Sequence, residues 1–212
     1  MTTPPAKTFI GRELRLELLD PGASVLTRLY KRPGGDWEAP PPEYRKLRVD
    51  PPPGQEHRYA VLYTADCIQA AAAECNILRT EPGDRCTWSK DLADQYKVAR
   101  YGFEVPALFI PIDGDNRRIL GLEGKQGKKY RGYEAFQHIG LELFERFGSV
   151  VHGLSWESFH RNQPGRVYAL WHDHKATIKL QVESAGAATA LTMDREWLAF
   201  LTENPDIEVL TP

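Results

Sequence analysis

The side chains with most capacity for chemistry fall in four short stretches. In Leu26-Thr27-Arg28-Leu29-Tyr30, strand alternation puts Leu26, Arg28 and Tyr30 on one face. Arg28 therefore either reaches solvent at a strand edge or serves a buried anion. Arg48 opens Arg48-Val49-Asp50-Pro51-Pro52-Pro53-Gly54, a rigid turn that presents a guanidinium, with Arg45, Lys46 and Arg58 nearby. A guanidinium is a planar fork of donors, so two spaced arginines suit a pyrophosphate; a solvated loop charge is the plainer alternative. The stretch from Val61 to Glu74 reads as a strand, a tight turn and a helix of small residues, with Tyr63 near the strand end. Helical geometry sets Glu74 on the border of that helix's apolar stripe, where it meets a pocket edge or pairs with Arg79 or another surface cation. Finally, Glu134 and Gln137 are three apart at a helix start and share a face, although a first-turn glutamate is favoured by the helix dipole in any case.

Three other patterns carry less. Gly121–Lys129 resembles a phosphate loop, but Leu122 stands where the first glycine is required and Lys129 where Ser or Thr should follow Gly-Lys. A basic turn is expected there. His172-Asp173-His174 puts two imidazoles on one face of an expected strand with no third ligand at diagnostic spacing, so no metal is expected. There is no Gly-x-Ser-x-Gly elbow, and Cys67 and Cys75 lie in an expected helix beside no histidine.

These groups must be positioned by a mixed set of elements. Ser24–Lys31, Tyr59–Ala65, Val105–Ile112, Arg118–Leu122, Ser149–Ser155, Arg166–Trp171 and Ala176–Glu183 read as strands, with Asp113–Asn116 as a turn. Helices are expected over Asp66–Leu78, capped by Thr64 or Asp66, and over Tyr133–Phe147, where Phe136, Ile139, Gly140, Leu143, Phe144 and Phe147 form one stripe ahead of Gly148. A last helix is expected from about Met193 to Thr202, with Thr192 before it and Asp194 in its first turn. Two proline clusters mark Lys31–Gln55 as an irregular surface segment, far longer than a usual loop and of the kind that borders binding sites. The fold class is α+β, a single domain over 1–212 with its core at about 24–183.

Composition narrows the partners. Twenty-seven Lys and Arg against 29 Asp and Glu give a net charge of −2, against binding to nucleic acid by charge alone. The cluster Lys125, Lys128, Lys129 and Arg131 lacks the stacking aromatics of an RNA-binding motif. No apolar run reaches a membrane-spanning length, and the first residues lack the apolar core of a signal peptide. Three cysteines without a Cys-x-x-Cys pair fit a reducing compartment, so a cytoplasmic protein is expected.

Taken in order from about Ser24 to Ser158, the motifs resemble the RES family of NAD-consuming toxins from bacterial toxin–antitoxin pairs. Arg28-Leu29-Tyr30 is similar to the family's opening strand. Arg48-Val49-Asp50-Pro51-Pro52 is similar to its Arg-aromatic-Asn-Pro-Pro loop, with Val49 and Asp50 as departures. Tyr63-Thr64-Ala65 with Glu74 eleven residues after the tyrosine is similar to its Tyr-x-Ala turn and glutamate, and Gln137 with Gly140 to its later helix. Gly153-Leu154 before a polar strand end also fits. By register the family's serine falls at position 134, where this chain has Glu134; Ser158 is nearby in sequence but follows a different strand.

The resemblance implies a split mixed sheet similar to that of ADP-ribosyltransferases, gripping NAD as substrate without a metal. It implies an enzyme that releases nicotinamide and passes ADP-ribose to water or phosphate. In it, Glu74 would stabilise positive charge on the ribose, with Glu134 as rival. Arg28 and Arg48 would hold the pyrophosphate, Tyr63 would stack on nicotinamide or adenine, and Gln137 would bond a ribose hydroxyl or the carboxamide. Glu134 would contact the ribose 2′-hydroxyl in place of the serine. A cognate antitoxin occluding the cleft is the implied protein partner. Two alternatives stand beside this reading: transfer of ADP-ribose to a protein, and a non-catalytic NAD- or nucleotide-binding module.

Overall fold

A computed structural model describes residues 13–81, 83, 85–123, 132–158, 165–183 and 189–210. The strands are β1 (Glu17–Leu19), β2 (Leu26–Tyr30), β3 (Val61–Ala65), β4 (Leu78–Thr80), β5 (Cys86–Ser89), β6 (Lys97–Gly102), β7 (Ala107–Pro111), β8 (Gly153–Glu157), β9 (Arg166–Trp171), β10 (Gln181–Val182), β11 (Thr189–Ala190) and β12 (Glu208–Leu210). The helices are α1 (Ile68–Glu74), α2 (Lys90–Ala93), α3 (Gly114–Ile119), α4 (Glu134–Phe147) and α5 (Arg195–Glu203). The main sheet runs β1-β7-β8-β9-β3-β2-β6-β10, with β11 also on β6; a second sheet runs β12-β5-β4. In the main sheet β7 and β8 are parallel and the other pairs antiparallel. The expected mixed α+β architecture is the one found.

Both faces of the main sheet's centre are buried, and this explains why its middle strands are almost wholly apolar. Along β9, Val167, Ala169 and Trp171 face α4, packing with Leu154, Trp156, Phe136 and Leu143. Tyr168 and Leu170 face the other way, against Leu26, Leu62, Tyr101, Ile178 and Leu180. Truncating a fully buried tryptophan such as Trp171 to alanine costs about 3–5 kcal/mol. A third cluster joins α1, α5 and the small sheet through Ile68, Trp88 and Trp197. At seven residues α1 is too short to be stable alone; Ala70–Ala73 are all buried, so packing holds it.

Several elements differ from the sequence expectation. Arg118–Leu122 is not a strand: Gly114–Ile119 is a helix, because Asn116 is buried and ties Arg15 and the Pro111 carbonyl to the first turn. Only Gln181–Val182 of the expected strand 176–183 is extended. His172–His174 form a 3-10 turn, so alternation does not place the two imidazoles. The cap of α1 is Cys67 without a side-chain bond; Asp66 instead accepts from the Arg166 amide. The cap of α5 is Asp194, which accepts from the Glu196 and Trp197 amides, whereas Thr192 donates to Asp94. Gly148 ends α4 in a right-handed conformation; an added Cβ would lie 2.4 Å from the Phe144 carbonyl oxygen. The basic turn at 124–131 lies outside the described residues.

Candidate functional site

A cleft of about 410 Å³ opens on the sheet between the proline-rich segment and α1. Its floor is β2, β3 and Val167 of β9, and its walls carry Arg48, Glu74, Tyr133 and Trp156. Four cationic side chains (Arg28, Lys31, Arg32, Arg48) and two carboxylates (Asp50, Glu74) line it, so an anion is the favoured guest.

The wall from 31 to 58 contains seven prolines, none with an N–H. Its carbonyls therefore outnumber its own donors, and side chains supply the difference. Arg45 donates to the carbonyls of Pro40 (2.9 Å), Glu56 (2.6 Å) and Tyr59 (3.0 Å). Arg32 donates to Glu38 O (2.7 Å), Lys175 to Trp37 O (2.7 Å) and the Tyr101 hydroxyl to Asp36 O. α4 closes on the same wall at Gly140, where a Cβ would stand 3.0 Å from the Tyr59 hydroxyl and 3.3 Å from the Val49 carbonyl oxygen.

Arg28 belongs to this latch. It projects from β2, and its Nε donates to the Gly35 carbonyl while Nη1 donates to the Tyr63 carbonyl, both at 2.8 Å. Nη2 makes no hydrogen bond among the described residues. Burial lowers the pKa of the guanidinium, which stays cationic because an arginine has so much margin. Tyr63 is engaged likewise: its hydroxyl donates to Asp50 Oδ1 (3.1 Å) and accepts from the Val49 amide (3.2 Å). Its ring lines the cleft, edge-on to Trp156 at 6.3 Å. Burial, then the Asp50 charge, pushes the Tyr63 phenol well above its usual range. Burial also raises Asp50, against hydrogen bonds from the Leu47 amide and Tyr63.

Arg48 stands differently. Its guanidinium lies over the rings of Tyr133 (5.3 Å), Phe136 (5.4 Å) and Trp156 (5.6 Å). Burial lowers its pKa, and the nearby Glu74 carboxylate opposes that shift. Glu74 ends α1 half-buried on the cleft wall, with Ser158 Oγ 3.5 Å from its Oε1. Cys75 follows it; burial pushes that thiol up to about 11, so it is neutral at pH 7. A carboxylate facing a desolvated cation at the edge of an aromatic box can stabilise positive charge that develops on a bound ligand.

The structure thus gathers Arg28, Arg48, Tyr63 and Glu74 on one cleft and leaves two expected residues off it. Gln137 is buried behind the wall, its amide donating to the Leu47 carbonyl at 3.0 Å, next to Arg48. Glu134 is exposed at the first residue of α4 and does not line the cleft. Lys31, Arg32, Tyr133 and Trp156 were not singled out from sequence. Lys31 packs over Tyr96 at 4.5 Å and donates to Gln95 at the cleft mouth. The usable signal for Trp156 was alternation along Leu154-Ser155-Trp156, which sets it on the face of Leu154. The buried indole N–H of Trp156 has no partner among the described residues. Among them no group of three His, Cys, Asp or Glu could hold a metal, and no helix is long and apolar enough to cross a membrane.

The RES domain model matches residues 18–194. Among solved structures, the chain is similar to one in the crystal structure of the M. tuberculosis MbcT–MbcA toxin–antitoxin complex. The TM-score is 0.53 at 15% identity, over 83% of this chain and 89% of that one. No curated protein matches.

Proposed function

The chain belongs to the RES domain family, and on that premise we propose that it is a cytoplasmic toxin that cleaves the nicotinamide–ribose bond of NAD in this cleft. The observation that carries the reading is the pairing of Glu74 with a cationic, aromatic-walled cleft of dinucleotide scale. Cleavage moves the bonding electron pair onto the nicotinamide nitrogen and leaves positive charge on the ribose, as in glycoside cleavage. Glu74 stabilises that charge, more strongly in the cleft than in water. Arg48 and the Nη2 side of Arg28 hold the pyrophosphate, with Lys31 and Arg32 adding positive potential at the mouth. Tyr63, Tyr133 and Trp156 offer aromatic surface to the bases. Gln137 acts from behind, holding the loop that presents Arg48. Water or phosphate then attacks the ribose carbon, its proton passing to solvent.

The neighbour's presence in a toxin–antitoxin complex supports a second part of the proposal: a cognate antitoxin that occludes the cleft. Proton NMR of NAD with the purified protein, with and without phosphate, tests the reaction. Released nicotinamide is expected, and a phosphate-dependent change of the second product identifies the acceptor. Protection by NAD against thermal unfolding without nicotinamide release would instead mark a binding module.

A further inference from the structure

The hydroxyl that meets the Glu74 carboxylate comes from just past the end of β8. β8 alternates: Leu154 and Trp156 lie in the α4-side core, whereas Ser155 turns the other way to donate to Glu17 and accept from Arg166. Ser158, two residues past Trp156, falls on the cleft side by the same period. Its amide donates to the Gly165 carbonyl at 2.9 Å, which fixes the backbone just beyond the strand. Gly165 is itself pressed on α1, where a Cβ would stand 2.6 Å from the Ala70 Cβ and 2.7 Å from Cys67 Sγ. The end of β8, the start of β9 and α1 therefore form one tight junction, and it brings Ser158 Oγ to 3.5 Å from Glu74 Oε1.

We propose that Ser158 is a positioning residue for Glu74: its hydroxyl donates to Oε1, orients the carboxylate in the cleft and favours its ionised form. This rests on the reading of Glu74 as the carboxylate that faces the ribose. Among the described residues, the charged and titratable groups that face Glu74 include Arg48 from the proline-rich wall, with Tyr133 beside that arginine, and Cys75 at the end of α1. Arg48 favours the ionised carboxylate independently, and a donor at 3.5 Å is at the long limit of a hydrogen bond, so the effect of Ser158 is modest.

The test compares wild type, Ser158→Ala and Ser158→Thr. The Glu74 carboxyl is titrated by carbon-13 NMR without ligand, assigned by its loss in Glu74→Gln, and nicotinamide release is measured across pH. In Ser158→Ala the Glu74 pKa is expected to rise by about half a unit, because the lost donor favoured the charged form. The acidic limb of kcat moves up equally, kcat falls about 3- to 10-fold and KM stays within about twofold. Ser158→Thr restores both readouts. An unchanged Glu74 titration in Ser158→Ala, or a threonine variant no better than alanine, would overturn the proposal. A wild type that releases no nicotinamide but shows the shift on Ser158→Ala would remove the cleavage reading and leave the Ser158–Glu74 bond standing.

Discussion

Arg28 and Arg48 face the same cleft from its floor and its wall, and their surroundings are opposite. Arg28 donates through Nε and Nη1 to two backbone carbonyls, Gly35 on the proline-rich wall and Tyr63 on the floor. Arg48 sits over three aromatic rings within reach of the Glu74 charge. One guanidinium closes the proline-rich wall onto the sheet; the other reaches from that wall over three rings beside Glu74. The difference shows that a segment poor in N–H groups recruits cations as structural donors, so an arginine beside prolines is not by itself a phosphate ligand.

Substitutions that separate latch from display should separate stability from binding. Arg28→Ala strands two carbonyls and removes two charge-assisted bonds, a loss of about 3 kcal/mol or more. A fall in Tm of about 6–12 °C by calorimetry is expected for a chain of this size. Gln137→Leu leaves the Leu47 carbonyl without its donor, for about 1–3 kcal/mol and a Tm lower by a few degrees. Because that carbonyl precedes Arg48, the KM for NAD should also rise, by about 3- to 10-fold. Arg48→Ala should raise KM about tenfold while moving Tm by no more than about 3 °C, well short of the loss in Arg28→Ala. Equal Tm losses in the two arginine variants would erase the distinction.

The smallest effect is one of pH, on the latch side. Burial, then Lys175, Arg28, Arg45 and Arg32, push His172 down to about 4, and its buried Nε2 has no partner among the described residues. The folded protein resists the proton that the unfolded chain accepts near pH 6.5. Stability should therefore decline as pH falls from about 6.5 towards 4 and the His172 contribution should level off below that. His172→Gln should flatten this part of a Tm-against-pH curve.

How much of this was legible depended on whether a residue's task was local. The α4 stripe, β9 and the irregular proline-rich segment follow from periodicity and proline chemistry, and the structure has them at nearly the expected bounds. The helix at Gly114–Ile119 was not legible, because Asn116 favours it through bonds to Arg15, about a hundred residues away. β6 was missed although it pairs with β2, β10 and β11, since Lys97-Val98-Ala99-Arg100 has weak alternation of its own. At the site, Arg28, Arg48, Tyr63 and Glu74 could be singled out by type and spacing. That Arg28 is a latch, that Gln137 braces from behind and that Ser158 meets Glu74 depend on contacts across 35, 90 and 84 residues, which no local pattern encodes.

The most direct measurement is the rate of nicotinamide release from NAD by wild type and by Glu74→Gln, which keeps the shape of the side chain and removes its charge. The expected result is release by wild type and a rate lower by about 10²- to 10³-fold in the variant at unchanged Tm. Release at the wild-type rate by Glu74→Gln, or none from wild type, would contradict the assignment of this cleft as an NAD-cleaving site.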